Sequence, residues 1–129
     1  MLDLSTKFAK ERKQFDTPIA NFEGIQWMLA EMAMLIYAME SIIYRTAAAY
    51  DLGKNISRNS AIVKLFCSES ADKIIDMAVQ IHGGMGYSHE LPIERFYRDS
   101  RINRIFEGTN EIQKIVIAKD VIKRNGVLL

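Results

Sequence analysis

Two short runs hold residue types that can do chemistry. Gln80-Ile81-His82-Gly83-Gly84-Met85-Gly86-Tyr87 places three glycines just past an apolar helical pattern, and Phe106-Glu107-Gly108-Thr109 follows nineteen residues later. Glycines there let the backbone take positive φ and lie bare against a ligand, with exposed N–H groups able to receive phosphate oxygens. An acid directly before Gly-Thr sets a carboxylate beside a close-approach backbone, as removal of a carbon-bound proton next to a bound cofactor requires. Each run has a plainer reading as well. Glu107 can be a surface acid favoured by a helix N-terminus, and the glycines can be a helix stop followed by a turn. The glycines follow a helix rather than a strand, so they are not the dinucleotide-binding fingerprint of a parallel sheet.

Other candidates carry less. Arg95, Arg98, Arg101 and Arg104 recur every third residue with Glu94 and Asp99 among them, the pattern of a solvated or ion-paired face. Arg12 and Gln14 before Phe15 can hold a phosphate and pack an aromatic, or form an ordinary charged turn. His82 and His89 lack partner ligands, so no metal site is expected. Met28, Met32, Met34 and Met39 read as core filler, and Trp27 and Tyr44 as markers of helix–helix contact.

Seventeen basic and sixteen acidic residues leave a net charge of +1, which removes the electrostatic case for a nucleic-acid binder. The single cysteine, Cys67, excludes an internal disulfide and any multi-cysteine metal site. No uninterrupted apolar run of membrane-spanning length is seen, and Asp3, Lys7 and Lys10 argue against a signal peptide. A reducing compartment is expected, most simply the cytoplasm.

These residues need elements to position them. Residues 1 to about 12 read as a helix already under way at Met1, as in a piece cut from a longer chain. A turn from Arg12 to Pro18 follows, with Pro18 suited to a first helical position. Apolar residues then recur at helical spacing from Ile19 to Leu52, and Gly53 is a natural stop. Asn55 or Ser57 caps the next helix, whose stripe of Ile62, Leu65, Phe66, Ser68, Ala71, Ile75, Ala78 and Val79 runs to the glycine pair. A short helix begins at Pro92, and a last one runs from Thr109 as N-cap to Gly126. Long helices joined by a short loop lie antiparallel, so the expected class is all-α: an up-and-down helical bundle, one domain over residues 1–129.

Laid out this way, the chain resembles the C-terminal helical domain of the acyl-CoA dehydrogenases. Glu11-Arg12-Lys13-Gln14-Phe15 is similar to that family's Arg-x-x-Phe turn. Gln80 to Tyr87, with Arg98-Asp99 beyond it, is similar to its Gln-x-x-Gly-Gly-x-Gly-aromatic signature, and Ile105 to Thr109 to its aromatic-Glu-Gly-Thr segment. The resemblance implies FAD-dependent α,β-dehydrogenation of an acyl-CoA thioester to the trans-2-enoyl-CoA, with Glu107 as the base for the α-proton. It implies that Gly108 and Phe106 face substrate and that Thr109 and Glu111 touch the flavin nucleotide. It further implies that Arg12, Phe15 and the backbone of Gln80, Ile81, His82, Gly83 and Gly84 contact the pyrophosphate and adenosine half of FAD. In that family these last contacts reach a cofactor held by a neighbouring subunit, so a homo-oligomer is implied.

Family members also carry an N-terminal helical domain and a central β domain that this sequence lacks. The isolated chain is therefore expected to be inactive. The alternative is a helical assembly and FAD-contact module that works with a separate partner chain. Asp16 stands where the family commonly has Gly, Glu23 and Glu111 where a flavin-contacting Gln is common, and Phe106 where Tyr is commoner.

Overall fold

Six α-helices and one two-stranded hairpin are built by residues 1–127, the residues that the computed structural model describes. Helix α1 (Leu2–Glu11) buries the small residues Ser5 and Ala9. The chain then reverses through strands β1 (Lys13–Gln14) and β2 (Thr17–Pro18), paired antiparallel with Gln14 opposite Thr17. Phe15 (φ 50°) and Asp16 (φ 58°) form the two-residue turn. Positive φ at both positions is the primed hairpin geometry, whose twist matches that of the flanking strands.

Pro18 does not open a helix, contrary to the sequence reading. Its extended backbone (φ −54°, ψ 134°) ends β2, and the Ile19 N–H donates to the Arg12 carbonyl at 2.9 Å. A 3-10 turn over Ile19–Asn21 follows, and α2 begins only at Glu23. The hairpin bond claims Ile19 before a helix can.

Helix α2 (Glu23–Asp51) has 29 residues, about 43 Å at 1.5 Å rise. One stripe, including Ile25, Met28, Leu29, Leu35, Ile36 and Met39, packs around the fully buried Met32. Trp27 (68% exposed), Met34, Tyr37 and Tyr44 lie on other faces and point outward. Trp27 and Tyr44 are therefore not the helix–helix contacts, and Met34 not the core filler, that the sequence led us to expect. By length and composition α2 could also cross a membrane, contrary to the expectation from sequence, because its charges are few and scattered rather than absent. Its inner stripe is instead taken up by α1 and α3.

The stop at Gly53 (φ 69°) is a paired cap: Gly53 N–H donates to Tyr50 and Lys54 N–H to Ala49, closing the carbonyls a helix end leaves open. The Asn55 side chain accepts from the Ser57 N–H at 3.0 Å, and α3 (Ser57–His82) turns back along α2, the most extensive helix–helix contact in the fold. Central α3 also meets α1, α5 and α6. It ends at Gly83 (φ 57°), beyond which α4 (Gly84–Tyr87) makes one helical turn rather than a flexible loop. Helix α5 (Ile93–Arg101), a 3-10 turn (Ile102–Arg104) and α6 (Asn110–Lys123) complete the bundle. The expected all-α class is the observed one.

Candidate functional site

The segment between α5 and α6 bears Glu107, and its backbone is unusual. Glu107 takes φ 54° and Gly108 φ 86°, two consecutive left-handed residues. For a residue with a Cβ this conformation is uncommon and costly. Phe106, Glu107 and Gly108 are all exposed, so no burial of their side chains drives the shape. Thr109 ends the segment as the N-cap of α6, its hydroxyl accepting from the Ile112 N–H at 3.4 Å. Glu111 sits in the first turn. Its own backbone N–H, then the Thr109 hydroxyl, hold its carboxyl below the usual glutamate range.

Two polar anchors, neither foreseen from sequence, fasten the segment to α3. Before it, Asp72 accepts from Ser100 Oγ at 3.1 Å and from the Arg104 guanidinium at 3.4 Å. After it, Asn110 is 2% exposed and meets Ser68 Oγ at 3.0 Å, while its Oδ1 accepts from Lys64 Nζ at 2.7 Å. A buried amide with satisfied partners fixes a helix start far more sharply than apolar contact does. Asn110 was legible only as a polar residue after a cap, and no spacing links Asp72 to Arg104. Three of the four periodic arginines are paired within the chain, Arg95 with Asp99, Arg98 with Glu94 and Arg104 with Asp72.

The second group of predicted residues lies elsewhere. Phe8 of α1 stacks on His82 at the end of α3, ring centroids 4.4 Å apart, and so joins the Arg12–Phe15 turn to the glycine run. His82 is 5% exposed, with Nδ1 2.7 Å from the Ala78 carbonyl oxygen, and Ile81 is buried too. Neither side chain is open to a ligand. Gly83 and Gly84 have nothing within 4 Å of where a Cβ would stand. Gly86 differs: a Cβ there would fall 2.9 Å from both His82 Cβ and the Val79 carbonyl oxygen. The third glycine therefore serves the packing of α4 on α3.

Ser68, beside the Glu107 segment, and His82, beside the glycines, are fourteen residues apart on α3, about 21 Å along its axis. The structure thus keeps the acid and the glycine run as two patches. Among the described residues, no three His, Cys, Asp or Glu side chains converge as a metal site requires.

Residues 1–122 match the family profile described as acyl-CoA dehydrogenase, C-terminal domain. This chain belongs to the acyl-CoA dehydrogenase family. It is 48% identical over 123 residues to the acryloyl-CoA reductase (NADH) of Anaerotignum propionicum, covering 95% of this chain and 31% of that protein. It superposes on butyryl-CoA dehydrogenase from Megasphaera elsdenii with a TM-score of 0.91 at 38% identity, over 94% of this chain and 32% of the other. The FAD complex of PigA matches with a TM-score of 0.91 at 31% identity, over 95% and 32%. The chain spans about a third of the length of these relatives.

The residues of this acyl-CoA dehydrogenase domain fit the nucleotide part of FAD. Phe15 is 91% exposed on its strained turn, an aromatic face held out of its own core and open to stacking. The nearby Arg12 side chain is exposed, a guanidinium suited to pyrophosphate. Gly83 and Gly84 leave open space where a side chain would stand, so a ligand can approach the backbone there.

Proposed function

We propose that this domain supplies the catalytic base and part of the FAD-contacting surface of an acyl-CoA dehydrogenase. The observation that carries the reading is Glu107: an exposed carboxylate on left-handed backbone, followed by a glycine and the capped start of α6. In α,β-dehydrogenation to the trans-2-enoyl-CoA, Glu107 would take the α-proton of the thioester. Gly108 and Phe106 offer a bare backbone and a ring face on either side of that carboxylate for the acyl chain to approach. When bound, FAD would supply the acceptor for the β-hydrogen. Toward it, Arg12 and Phe15 would hold the pyrophosphate and adenosine end with the backbone of Gln80, Ile81, His82, Gly83 and Gly84, while Thr109 and Glu111 would meet the nucleotide near the base. Exclusion of water on closure strengthens a carboxylate as a base. The proton taken at the α-carbon in oxidation would be returned by the same group in reduction, so Glu107 also serves a reductase such as the Anaerotignum relative is named to be.

The separation of the two patches favours a shared site. A domain whose nucleotide patch lies about 21 Å along α3 from its base is suited to serving cofactors in two subunits, or in a partner chain. The outward Trp27, Met34, Tyr37 and Tyr44 of α2 suit burial in such an assembly. Alone, the chain would be inactive because the remaining two-thirds found in its relatives complete the site.

The test is a chimera in which residues 1–122 replace the matching third of the Megasphaera butyryl-CoA dehydrogenase. Butyryl-CoA is expected to bleach the flavin of the chimera. Glu107→Gln should keep FAD and slow bleaching by about 100-fold or more. Bleaching at the unsubstituted rate would remove Glu107 from its role.

A further inference from the structure

Neither the Asp72 nor the Asn110 anchor reaches the peptide units of Glu107 and Gly108, which stay left-handed on an exposed segment. The side chain of Gln113, one turn into α6, does. Its Nε2 donates to the Gly108 carbonyl at 3.1 Å and, more loosely, to the Glu107 carbonyl at 3.4 Å. Two successive carbonyls thus converge on one amide nitrogen. In an extended path they would point to opposite sides of the chain. A Cβ on Gly108 would stand 2.8 Å from Gln113 Nε2, so a side chain there would displace the amide, and glycine also suits φ 86°.

We infer that Gln113 is a positioning residue that sets the direction of the Glu107 carboxylate by holding its backbone left-handed. The inference rests on Glu107 being the base. The clamp works where the other anchors do not. Asp72 and Asn110 fix the two ends of the segment, whereas Gln113 acts on the two peptide units that carry the carboxylate. A six-residue reach from Gln113 back to Glu107 also couples the base to the first turn of α6. Movement of α6 would therefore move the base with it. Loss of the donor frees φ at Glu107 without emptying any core position, since Gln113 contacts the segment at the surface of the bundle.

The clamp is tested in the 129-residue chain by nuclear magnetic resonance. The amide-to-α coupling and Cβ shift of Glu107 report its φ. Gln113→Met keeps the length of the side chain and removes both donors; Gln113→Lys keeps a donor of similar reach. The unsubstituted chain and Gln113→Lys should show left-handed Glu107, and Gln113→Met should show averaging. A Glu107 that stays left-handed in Gln113→Met overturns the clamp, whatever its role in catalysis.

The same pair in the chimera separates the clamp from the base. Gln113→Met is expected to lower kcat about 10- to 100-fold with KM and flavin absorbance unchanged, since misplacing a reacting group by about 1 Å has that effect, and Gln113→Lys should recover most of it. An unchanged kcat in Gln113→Met, with Glu107→Gln inactive, sinks the positioning role and leaves the base standing. If Glu107→Gln is fully active, the base is wrong while the resonance result still decides the clamp.

Discussion

Left-handed backbone is costly for any residue with a Cβ, and the described residues use it at Phe15, Asp16, Glu107 and Asn125. Two of these, Phe15 and Glu107, are the residues proposed to meet cofactor and substrate, in line with strain gathering where function over-determines the structure. Asp16 has no such excuse. Replacing it by glycine relieves about 1 kcal/mol of strain, partly offset by the greater freedom of the unfolded chain. Asp16→Gly should therefore raise the unfolding free energy by about 0.5 kcal/mol, read as a slightly higher urea midpoint with unchanged slope. A lower midpoint would mean the Asp16 side chain holds the turn in a way its contacts do not show. At this scale the sequence was a partial guide. Gly108 marked the close approach, but nothing in the letters Phe-Glu announced positive φ, because only glycine advertises it. His82, expected from the resemblance to offer only backbone, does bury its side chain against Phe8.

Helices were legible where periodicity and caps agreed, as at Gly53, at Thr109 and along α3. The misses fall where a long-range hydrogen bond outranked a local preference. Pro18 lost its helical position to the hairpin bond from Ile19 to Arg12, and the turn after Gly83 became α4 because Gly86 lets it press on α3. Gly86→Ala should accordingly cost about 1–3 kcal/mol, since the obstructing Val79 oxygen is backbone and cannot swing away; the thermal midpoint reads this directly. A second element-scale prediction concerns the far end of α6. Asp120 bridges Arg58 of α3 at 3.1 Å and Arg124 at 3.0 Å. Burial pushes its carboxyl up, but the hydrogen bonds and charges of Arg124 and Arg58 outweigh that and hold it below the usual aspartate range. A lowered folded pKa means the contribution is present above the unfolded value, about 3.9, and is lost as pH falls through the folded one. Melting scans from pH 5 down to pH 2 should show a fall that Asp120→Asn lacks; parallel curves would show that the bridge adds nothing.

For the molecule as a whole, class and family were readable from three motifs in order, while the distance between them was not. Spacing in sequence says nothing of how far Gln80 and Glu107 lie from each other in space. The fold sets them at different levels of α3, because α5 and its following 3-10 turn run back along that helix before α6 begins. A small core around Met32, Ile74, Ala78 and Ile81 underlies the bundle, and the Asp72 and Asn110 anchors tie the Glu107 segment to it. That arrangement suits a domain that spans about a third of its relatives: the proposed base would lie at one level and the proposed nucleotide surface at another.

The claim at the centre of this account is that Glu107 moves the α-proton, and exchange of that proton tests it more directly than flavin bleaching. The chimera would be incubated in deuterated water with butyryl-CoA and FAD, and deuterium at the α-carbon followed by mass spectrometry. Incorporation should be rapid with Glu107 and slower by about 100-fold or more with Glu107→Gln. Equal incorporation in the two proteins would contradict the account and send the search for the base elsewhere.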